Sequence, residues 1–172
     1  MTESGARGPL AAKVLTVSDG VVAGTREDRS GEALADRLAE AGFEVVERRT
    51  VPDGIDPVAG AVAEMARGFS GLIVTTGGTG FAPRDLTPEG TRRVIEREAP
   101  GLAEAARSVN PLGRLSRGVA GILGQAVVLN TPGSPAGAVE CLDAVVDVLP
   151  HALRLLVDAP TDHRAAHGGG SN

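Results

Sequence analysis

The sequence predicts an α/β fold: a three-layer, doubly wound, mostly parallel sheet with helices on both faces and a small β-hairpin. Short apolar segments typical of buried strands alternate along the chain with amphipathic segments of helical period. Strands that alternate with helices are joined by crossovers and pair in parallel. The length of 172 residues suits one domain with its own core. We expect that domain at residues 12–158, between flexible tails at 1–11 and 159–172 that lack hydrophobic periodicity.

The first half of the chain contains three predicted strands separated by two predicted helices. The strands are residues 13–18, 44–50 and 71–76. The first helix spans residues 31–41 and ends before Gly42, a residue that favours the turn closing a helix. The second helix has apolar residues at i, i+3 and i+4 spacing from Val58 to Ala66. The third strand is short and apolar enough to lie in the middle of the sheet.

The second half of the chain is predicted to be mostly helical, with one hairpin. Residues 88–109 have a helical pattern that contains Pro100-Gly101, where we expect the helix to break. Residues 119–123 and 126–130 flank Gly124-Gln125, a pair typical of a two-residue hairpin turn. Two helices, at 135–149 and 150–157, complete the predicted fold.

Charge and composition argue against several classes of function. The formal net charge is −5 and the basic residues are scattered, so nucleic acid is not an expected partner. No segment approaches the length of a membrane span and the N-terminus has no signal-peptide pattern, so we expect a cytoplasmic protein without a membrane partner. The only cysteine, Cys141, lies in an apolar helical segment, where a buried thiol is a simpler interpretation than a reactive one.

Loops of small, polar and acidic residues follow four of the predicted strands. Because the carboxyl ends of parallel strands share one edge of a sheet, ligands bind in the crevice outside that edge. Such residues also make ordinary turns. The four loops are Ser18-Asp19-Gly20, Pro52-Asp53-Gly54, residues 75–80 and residues 131–135.

Three polar residues before prolines have a structural explanation. Asp56-Pro57, Thr87-Pro88 and Ser134-Pro135 each combine a capping side chain with a Pro at the first helical position. Asp53 and Asp85 are not needed for capping, which makes them stronger candidates for function.

The loop Thr75-Thr76-Gly77-Gly78-Thr79-Gly80 has the composition of a phosphate-binding turn. Three Gly residues within four positions allow positive φ and let backbone amides approach an anion. The loop is neither a Walker A loop nor a dinucleotide fingerprint, and a plain tight turn is the alternative interpretation. Lys13 is the only lysine, so phosphate contacts must come from arginine, backbone amides, helix ends or a metal.

Arg84 and Asp85 follow this loop closely. Arg84 can bind a phosphate through its guanidinium fork, and Asp85 can bind a divalent cation. A carboxylate beside a phosphate needs a cation between them, because like charges repel. Asp53 and Asp85, at adjacent strand ends, are therefore a candidate Mg²⁺ pair.

The segment from Thr76 to Glu89, TGGTGFAPRDLTPE, resembles the signature of the molybdopterin-binding, Mog-type proteins of molybdenum-cofactor biosynthesis. The resemblance continues through four other segments in the family's order and covers nearly everything between the tails. Those segments are Val17-Ser18-Asp19-Gly20, Glu27-Asp28-Arg29-Ser30-Gly31, Leu115-Ser116-Arg117 and Pro132-Gly133-Ser134-Pro135.

The resemblance implies a molybdopterin adenylyltransferase, in which molybdopterin and Mg-ATP give adenylyl-molybdopterin and pyrophosphate. It implies catalytic and Mg²⁺-binding roles for Asp53 and Asp85. The residues implied to bind substrate or nucleotide are Ser18, Asp19, Asp28, Ser30, Thr76, Gly77, Gly78, Thr79, Gly80, Arg84, Pro132, Gly133 and Ser134. The family typically forms trimers, so a homotrimer is expected, with a molybdenum insertase as a further partner.

Two alternatives remain open at this point. One is a carrier or scaffold that binds molybdopterin without chemistry, as the related domain of gephyrin suggests. The other is a different nucleotide-processing enzyme on the same fold, such as the related domain of competence-damage proteins, which explains less of the match between Thr76 and Glu89. The presence of both Asp53 and Asp85 favours an active adenylyltransferase.

Overall fold

A six-stranded sheet crosses the part of the chain that the computed structural model describes, residues 9–158. The strands are β1 Leu10–Val17, β2 Phe43–Val51, β3 Ser70–Thr76, β4 Arg97–Glu98, β5 Ala120–Leu123 and β6 Gln125–Thr131. In the order β2-β1-β3-β6 neighbouring strands pair in parallel, and β5 and then β4 extend the sheet antiparallel beyond β6. The predicted, mostly parallel sheet is confirmed. Its first strand begins at Leu10, inside the segment assigned to the N-terminal tail, whereas residues 1–8 and 159–172 lie outside the described residues.

Helices cover both faces of this sheet, which confirms the three-layer prediction. The helices are α1 Asp19–Val22, α2 Arg29–Glu40, α3 Ile55–Ala66, α4 Thr87–Val94, α5 Pro100–Ser108, α6 Pro135–Asp143 and α7 Leu149–Asp158, with a 3₁₀ helix at Pro111–Leu115. On one face α2, α5, α6 and α7 bury residues such as Leu34 and Leu142 against Leu72 and Val74 of β3. On the other face α3 packs against Ile73, which lies between Leu72 and Val74 in β3. Successive side chains of a strand point to opposite faces of the sheet.

The elements differ from the predictions mainly around Pro100. The helical region is interrupted as predicted, but at residues 95–99 and not at Pro100-Gly101. Pro100 begins α5, because its fixed φ and missing N–H suit the first helical position. Helix α4 already ends at Val94, and β4 then pairs with β5. The hairpin is confirmed: Leu123 pairs with Ala126 across the turn, and Gly124 has a φ of 59°. Helix α6 ends at Asp143, short of the predicted 149, while α1 and the 3₁₀ helix were not predicted. No helix among the described residues is long and apolar enough to cross a membrane.

Only one of the three predicted helix caps is present. The Ser134 hydroxyl accepts a hydrogen bond from the Gly137 amide at 3.1 Å and caps α6. The assignments of Asp56 and Thr87 were wrong. Gly54 is the N-cap of α3 and Asp56 lies in its first turn. Thr87 is the first residue of α4, and its hydroxyl is used elsewhere.

Asp28, a predicted binding residue, ties together three elements of the fold. Its Oδ1 caps α2 by accepting from the Gly31 amide at 3.0 Å and also accepts from the Thr16 hydroxyl of β1 at 2.8 Å. Its Oδ2 accepts from Arg48 of β2 at 3.0 Å. The side chain therefore holds the start of α2 against two strands.

Replacing Asp28 with Ala is expected to lower the free energy of unfolding by about 1–3 kcal/mol, because a helix cap and charge-assisted hydrogen bonds are lost together. Chemical denaturation measures this directly. The control is Asp36→Ala, at an exposed position of the same helix whose side chain makes no hydrogen bond or ion pair among the described residues. Equal stability of the two variants would contradict the structural role of Asp28.

Candidate functional site

A pocket of about 1160 Å³ opens at the carboxyl edge of the parallel strands. Its walls come from the ends of β1, β3 and β6, the loop after β2, the segment before α2, and the region from α5 to the 3₁₀ helix. This volume exceeds the roughly 300–1,000 Å³ that is usual for one small ligand. The pocket is therefore somewhat larger than one small ligand requires.

Most of the predicted site residues line this pocket. They are Ser18, Ser30, Asp53, Thr76, Gly77, Gly78, Thr79, Gly80, Asp85, Pro132, Gly133 and Ser134. The other three, Asp19, Asp28 and Arg84, are not among the lining residues and make contacts within the protein instead. Topology thus brings distant parts of the chain together as the sheet-edge argument predicted.

The Gly loop, residues 75–80, is held by its carbonyl groups. The carbonyls of Gly77 and Gly78 accept from the hydroxyl and the amide of Thr87, at 2.9 and 3.0 Å. Those of Thr79 and Gly80 accept from the amide and the Nε of Arg117, both at 2.8 Å. Every carbonyl from residue 77 to residue 80 is therefore bound to the protein.

The amides of residues 78–80 in the same loop are free of protein acceptors in the part of the chain that the structure describes, whereas the Gly77 amide donates to the Thr131 carbonyl at 3.1 Å. Within the described residues, the N–H groups of residues 78–80 donate to no protein acceptor, although these residues line the pocket. Gly77 and Gly78 have φ values of 97° and 68°, a conformation that few other residues adopt. The positive φ values at Gly77 and Gly78 turn the backbone so that the unpaired amides of residues 78–80 follow one another, an arrangement that can form a concave site for an anion.

A buried polar network supports the floor of the loop. The Asn130 amide donates to the hydroxyls of Thr75 at 2.9 Å and Thr91 at 3.0 Å, and its carbonyl accepts from the Val119 amide. The Thr131 hydroxyl donates to the Thr75 carbonyl at 2.8 Å. Buried networks with every partner present are rigid. Sequence reasoning missed this network, since Thr and Asn in a strand carry no local sign of it.

Two carboxylates lie against the Gly loop. A Cβ on Gly78 would lie 3.2 Å from Asp53 Oδ1, and a Cβ on Gly80 would lie 2.9 Å from Asp85 Oδ2. Asp85 Oδ2 accepts from the Ala82 amide at 2.9 Å. Partial burial raises the pKa of Asp53, and the negative charges of Asp19 and Asp85 add to that effect. The field around Asp53 therefore favours a nearby cation.

These carboxylates suit one kind of metal better than others. Among the described residues no group of three or more His, Cys, Asp and Glu side chains could enclose an ion. Mg²⁺ needs no such cage, because it usually binds one or two carboxylates and completes its shell with water and substrate phosphates. Asp53 and Asp85, beside a site for phosphate, fit that pattern.

Asp19 and Arg84 form a clamp on Asp53. The Asp19 amide donates to Asp53 Oδ2 at 3.0 Å, and the Asp53 amide donates to Asp19 Oδ1 at 3.1 Å. Arg84 donates to both carboxylate oxygens of Asp19, at 2.6 and 3.0 Å, and to the Asp53 carbonyl at 3.1 Å. The Arg84 guanidinium lowers the pKa of Asp19 from its ordinary value. Arg84, expected to fork onto a phosphate, forks here onto a carboxylate.

Arg117 is a site residue to which sequence reasoning assigned no role. Besides holding Thr79 and Gly80, it donates to the Asp85 carbonyl and pairs with Glu89 in α4. Its presence in the Leu115-Ser116-Arg117 segment of the family resemblance was the available signal. Burial acts to raise the pKa of Glu89, but the hydrogen bonds and charge of Arg117 outweigh burial and lower it below its ordinary value.

Replacing Glu89 with Gln is expected to destabilise the protein at neutral pH more than in acid. The folded-state pKa of Glu89 is lowered, so its contribution to stability is present above the unfolded pKa and lost as pH falls through the folded value. Thermal denaturation of wild type and variant from about pH 7 to about pH 3 should show their difference in Tm shrinking. Glu32→Gln, at an exposed position in α2, is the control. A difference that stays constant across this range would contradict the prediction.

Cys141 lines the pocket as a buried thiol. Its Sγ donates to the Ala106 carbonyl at 3.3 Å, and burial raises its pKa. The interpretation of Cys141 as a buried thiol is confirmed.

An α/β sheet with unpaired amides and a pair of carboxylates at its carboxyl edge defines a protein that binds phosphate-bearing small molecules. Comparison with known families makes this class specific. Residues 13–151 match the family described as "Probable molybdopterin binding domain", and the chain belongs to that family. The resemblance noted from the motifs is confirmed.

Individual relatives agree with this assignment. The molybdopterin adenylyltransferase of Helicobacter pylori (strain J99) is 36% identical over 151 residues, which are 84% of this chain and 86% of the relative. The molybdenum cofactor synthesis protein cinnamon of Drosophila melanogaster is 38% identical over 90% of this chain, which spans only 27% of that longer protein. The crystal structure of the molybdopterin biosynthesis enzyme MoaB from Thermus thermophilus is similar with a TM-score of 0.82 and 46% identity, covering 88% of this chain and 98% of that one.

Proposed function

We propose that this chain is a molybdopterin adenylyltransferase, a nucleotidyltransferase of molybdenum-cofactor biosynthesis. The observation that carries the proposal is the row of unpaired amides at residues 78–80, beside Asp53 and Asp85, in a pocket of about 1160 Å³. The relative named molybdopterin adenylyltransferase, aligned over most of both chains, supports the same activity.

The proposed reaction joins two phosphate-bearing substrates. An oxygen of the terminal phosphate of molybdopterin attacks the α-phosphorus of ATP, the bond from that phosphorus to the bridging oxygen of the β-phosphate breaks, and pyrophosphate leaves. The nucleophile is already an anion, so no general base is required. Consistently, no histidine is among the described residues that line the pocket.

The residues of this chain would act by position and charge. The free amides at residues 78–80 would donate to phosphoryl oxygens, and the bound carbonyls keep those amides in place. Asp53 and Asp85 would hold Mg²⁺, which neutralises phosphate charge beside the carboxylates when it is bound. The clamp of Asp19 and Arg84 would keep Asp53 from turning away. Ser18, Ser30, Pro132, Gly133 and Ser134 would complete the walls around the substrates.

A reconstituted assay tests this function. Purified protein is mixed with molybdopterin, ATP and Mg²⁺, and both pyrophosphate and adenylyl-molybdopterin are quantified. We expect the two products in equal amounts, and neither when molybdopterin or Mg²⁺ is left out. Tight binding of molybdopterin with no pyrophosphate release would instead identify a carrier or scaffold and overturn the proposal.

Three expectations about the cellular context accompany this proposal. The protein is proposed to be a cytoplasmic homotrimer that passes its product to a molybdenum insertase. Light scattering on the purified protein tests the trimer. The mass of a monomer under assay conditions would contradict the proposed homotrimer. Product transfer to an added insertase, measured as loss of free adenylyl-molybdopterin, tests the partner.

A further inference from the structure

The charges that line the pocket are unbalanced for a phosphate ligand. Four carboxylates and only two guanidiniums are among the described lining residues. They are Glu27, Asp53, Asp85 and Glu140 on the acidic side and Arg26 and Arg29 on the basic side. A triphosphate in this pocket would meet more like charge than opposite charge, apart from any metal ion.

Three cations outside the pocket lining have partners within the protein. Arg84 is bound to Asp19, and Arg117 is bound to Glu89 and to the carbonyls of the Gly loop. The single lysine, Lys13, lies on β1, pairs with Glu47 at 3.0 Å and donates to the Met65 carbonyl. Among the described residues that line the pocket, the remaining cations are Arg26 and Arg29. Arg29 lies in the segment from Glu27 to Gly31 that carries part of the family resemblance, but neither arginine was predicted to bind a ligand.

The backbone of Arg26 is held in place, but its guanidinium is unpaired among the described residues. Its amide donates to the Gly20 carbonyl at 3.2 Å, and its Cβ lies 3.3 Å from the position that a Cβ on Gly20 would take. The guanidinium makes no hydrogen bond or ion pair with any described residue, although the residue lines the pocket. The backbone of Arg26 is therefore fixed at the pocket, and its guanidinium is free to bind a ligand.

Arg29 has only a weak partner. Its Nε lies 3.3 Å from Glu27 Oε2, and the two side chains are 77% and 82% exposed. A pair this exposed contributes little, so a phosphate can replace the carboxylate at small cost. The next residue, Ser30, is buried and also lines the pocket.

We propose that Arg26 and Arg29 bind the phosphate groups of the ligand that lies against the Gly loop. A guanidinium presents several N–H donors in a plane that matches phosphate oxygens. The only lysine, Lys13, pairs with Glu47, so a cationic side chain that binds phosphate in this pocket is an arginine. The inference rests on the proposed function for the identity of the ligand: the phosphates of ATP or the terminal phosphate of molybdopterin.

Calorimetry on Arg26→Ala, Arg29→Ala and the double variant tests this role with Mg-ATP, adenosine and molybdopterin as separate ligands. We expect each single change to weaken binding of a phosphate ligand roughly tenfold, because a hydrogen bond to a charged group is lost. Binding of adenosine, which has no phosphate, should not change. Arg26→Lys should restore part of the affinity, since it keeps the charge and loses the fork.

The matched control is Arg154→Ala, which removes the same charge from an exposed position on α7, outside the pocket lining. Weaker binding of Mg-ATP alone, or of molybdopterin alone, supports the proposal and identifies which phosphate the arginines bind. Unchanged affinity for both, or an equal loss for adenosine, would overturn it. These binding measurements do not depend on turnover. A wild-type protein that releases no pyrophosphate would contradict the proposed function, but the calorimetry would still show whether Arg26 and Arg29 bind phosphate.

Discussion

Asp85→Asn and Asp53→Asn are each expected to lower the rate of pyrophosphate release by roughly a hundredfold or more, with the fold unchanged. An asparagine oxygen can still accept the hydrogen bonds that Asp53 receives from the Asp19 amide and Asp85 receives from the Ala82 amide. Only the negative charge is lost. Because that charge is the proposed reason that Mg²⁺ binds beside the phosphates, the loss should appear in turnover.

The turnover rate of the double variant, with both Asp53→Asn and Asp85→Asn, shows whether the two carboxylates hold the same ion or act independently. If both carboxylates hold one ion, the double variant should be little slower than either single variant, since groups acting as a unit are not additive. Raising the Mg²⁺ concentration should recover part of the rate of each single variant. Asp147→Asn, an exposed carboxylate outside the pocket lining, is the control and should turn over like wild type. Wild-type turnover in Asp85→Asn would remove Asp85 from the mechanism.

Gly77→Ala is expected to cause the largest loss of stability of any single methyl group added to the Gly loop. The residue has a φ of 97°, which costs an alanine about 1–2 kcal/mol. The added Cβ would also collide with the carbonyl oxygen of Val17, a backbone atom at the end of β1. Overpacking against atoms that cannot move aside costs about 1–3 kcal/mol more.

Gly24→Ala separates the two costs. Gly24 has a φ of 74° and no atom within 4 Å of the added Cβ, so this variant carries the backbone strain without the collision. We expect Gly77→Ala to lower Tm by on the order of 10 °C and Gly24→Ala by about 2–8 °C, given 2–4 °C per kcal/mol for a chain of this size. Affinity for Mg-ATP should fall in Gly77→Ala alone, because the free amides at residues 78–80 are displaced. Equal Tm values for the two variants would contradict the collision.

The role of Arg84 shows where local reasoning reached its limit. Its position beside the Gly loop predicted a phosphate ligand, and its neighbours in sequence contain no reason to think otherwise. The carboxylate that it binds belongs to Asp19, at the end of a different strand. Thr87 is similar: its place before Pro88 predicted a helix cap, but its hydroxyl holds the Gly77 carbonyl. A polar side chain goes to the best partner within reach, and that partner depends on which segments the fold brings near.

By itself the sequence determined the α/β class, the edge of the sheet where the pocket lies, the Gly loop and the aspartates beside it. Hydrophobic period is a local property, and parallel strands must end at the same edge, so both could be deduced from order along the chain. Only the tertiary structure decided which donors are used up and which stay free. Arg84 binds Asp19, and Arg117 binds Glu89 and the carbonyls of the Gly loop. The amides at residues 78–80 and the guanidinium of Arg26 have no partners among the described residues. Many hydrogen bonds join segments that are distant in sequence. Which donors stay free for a ligand is therefore decided only when the chain is folded.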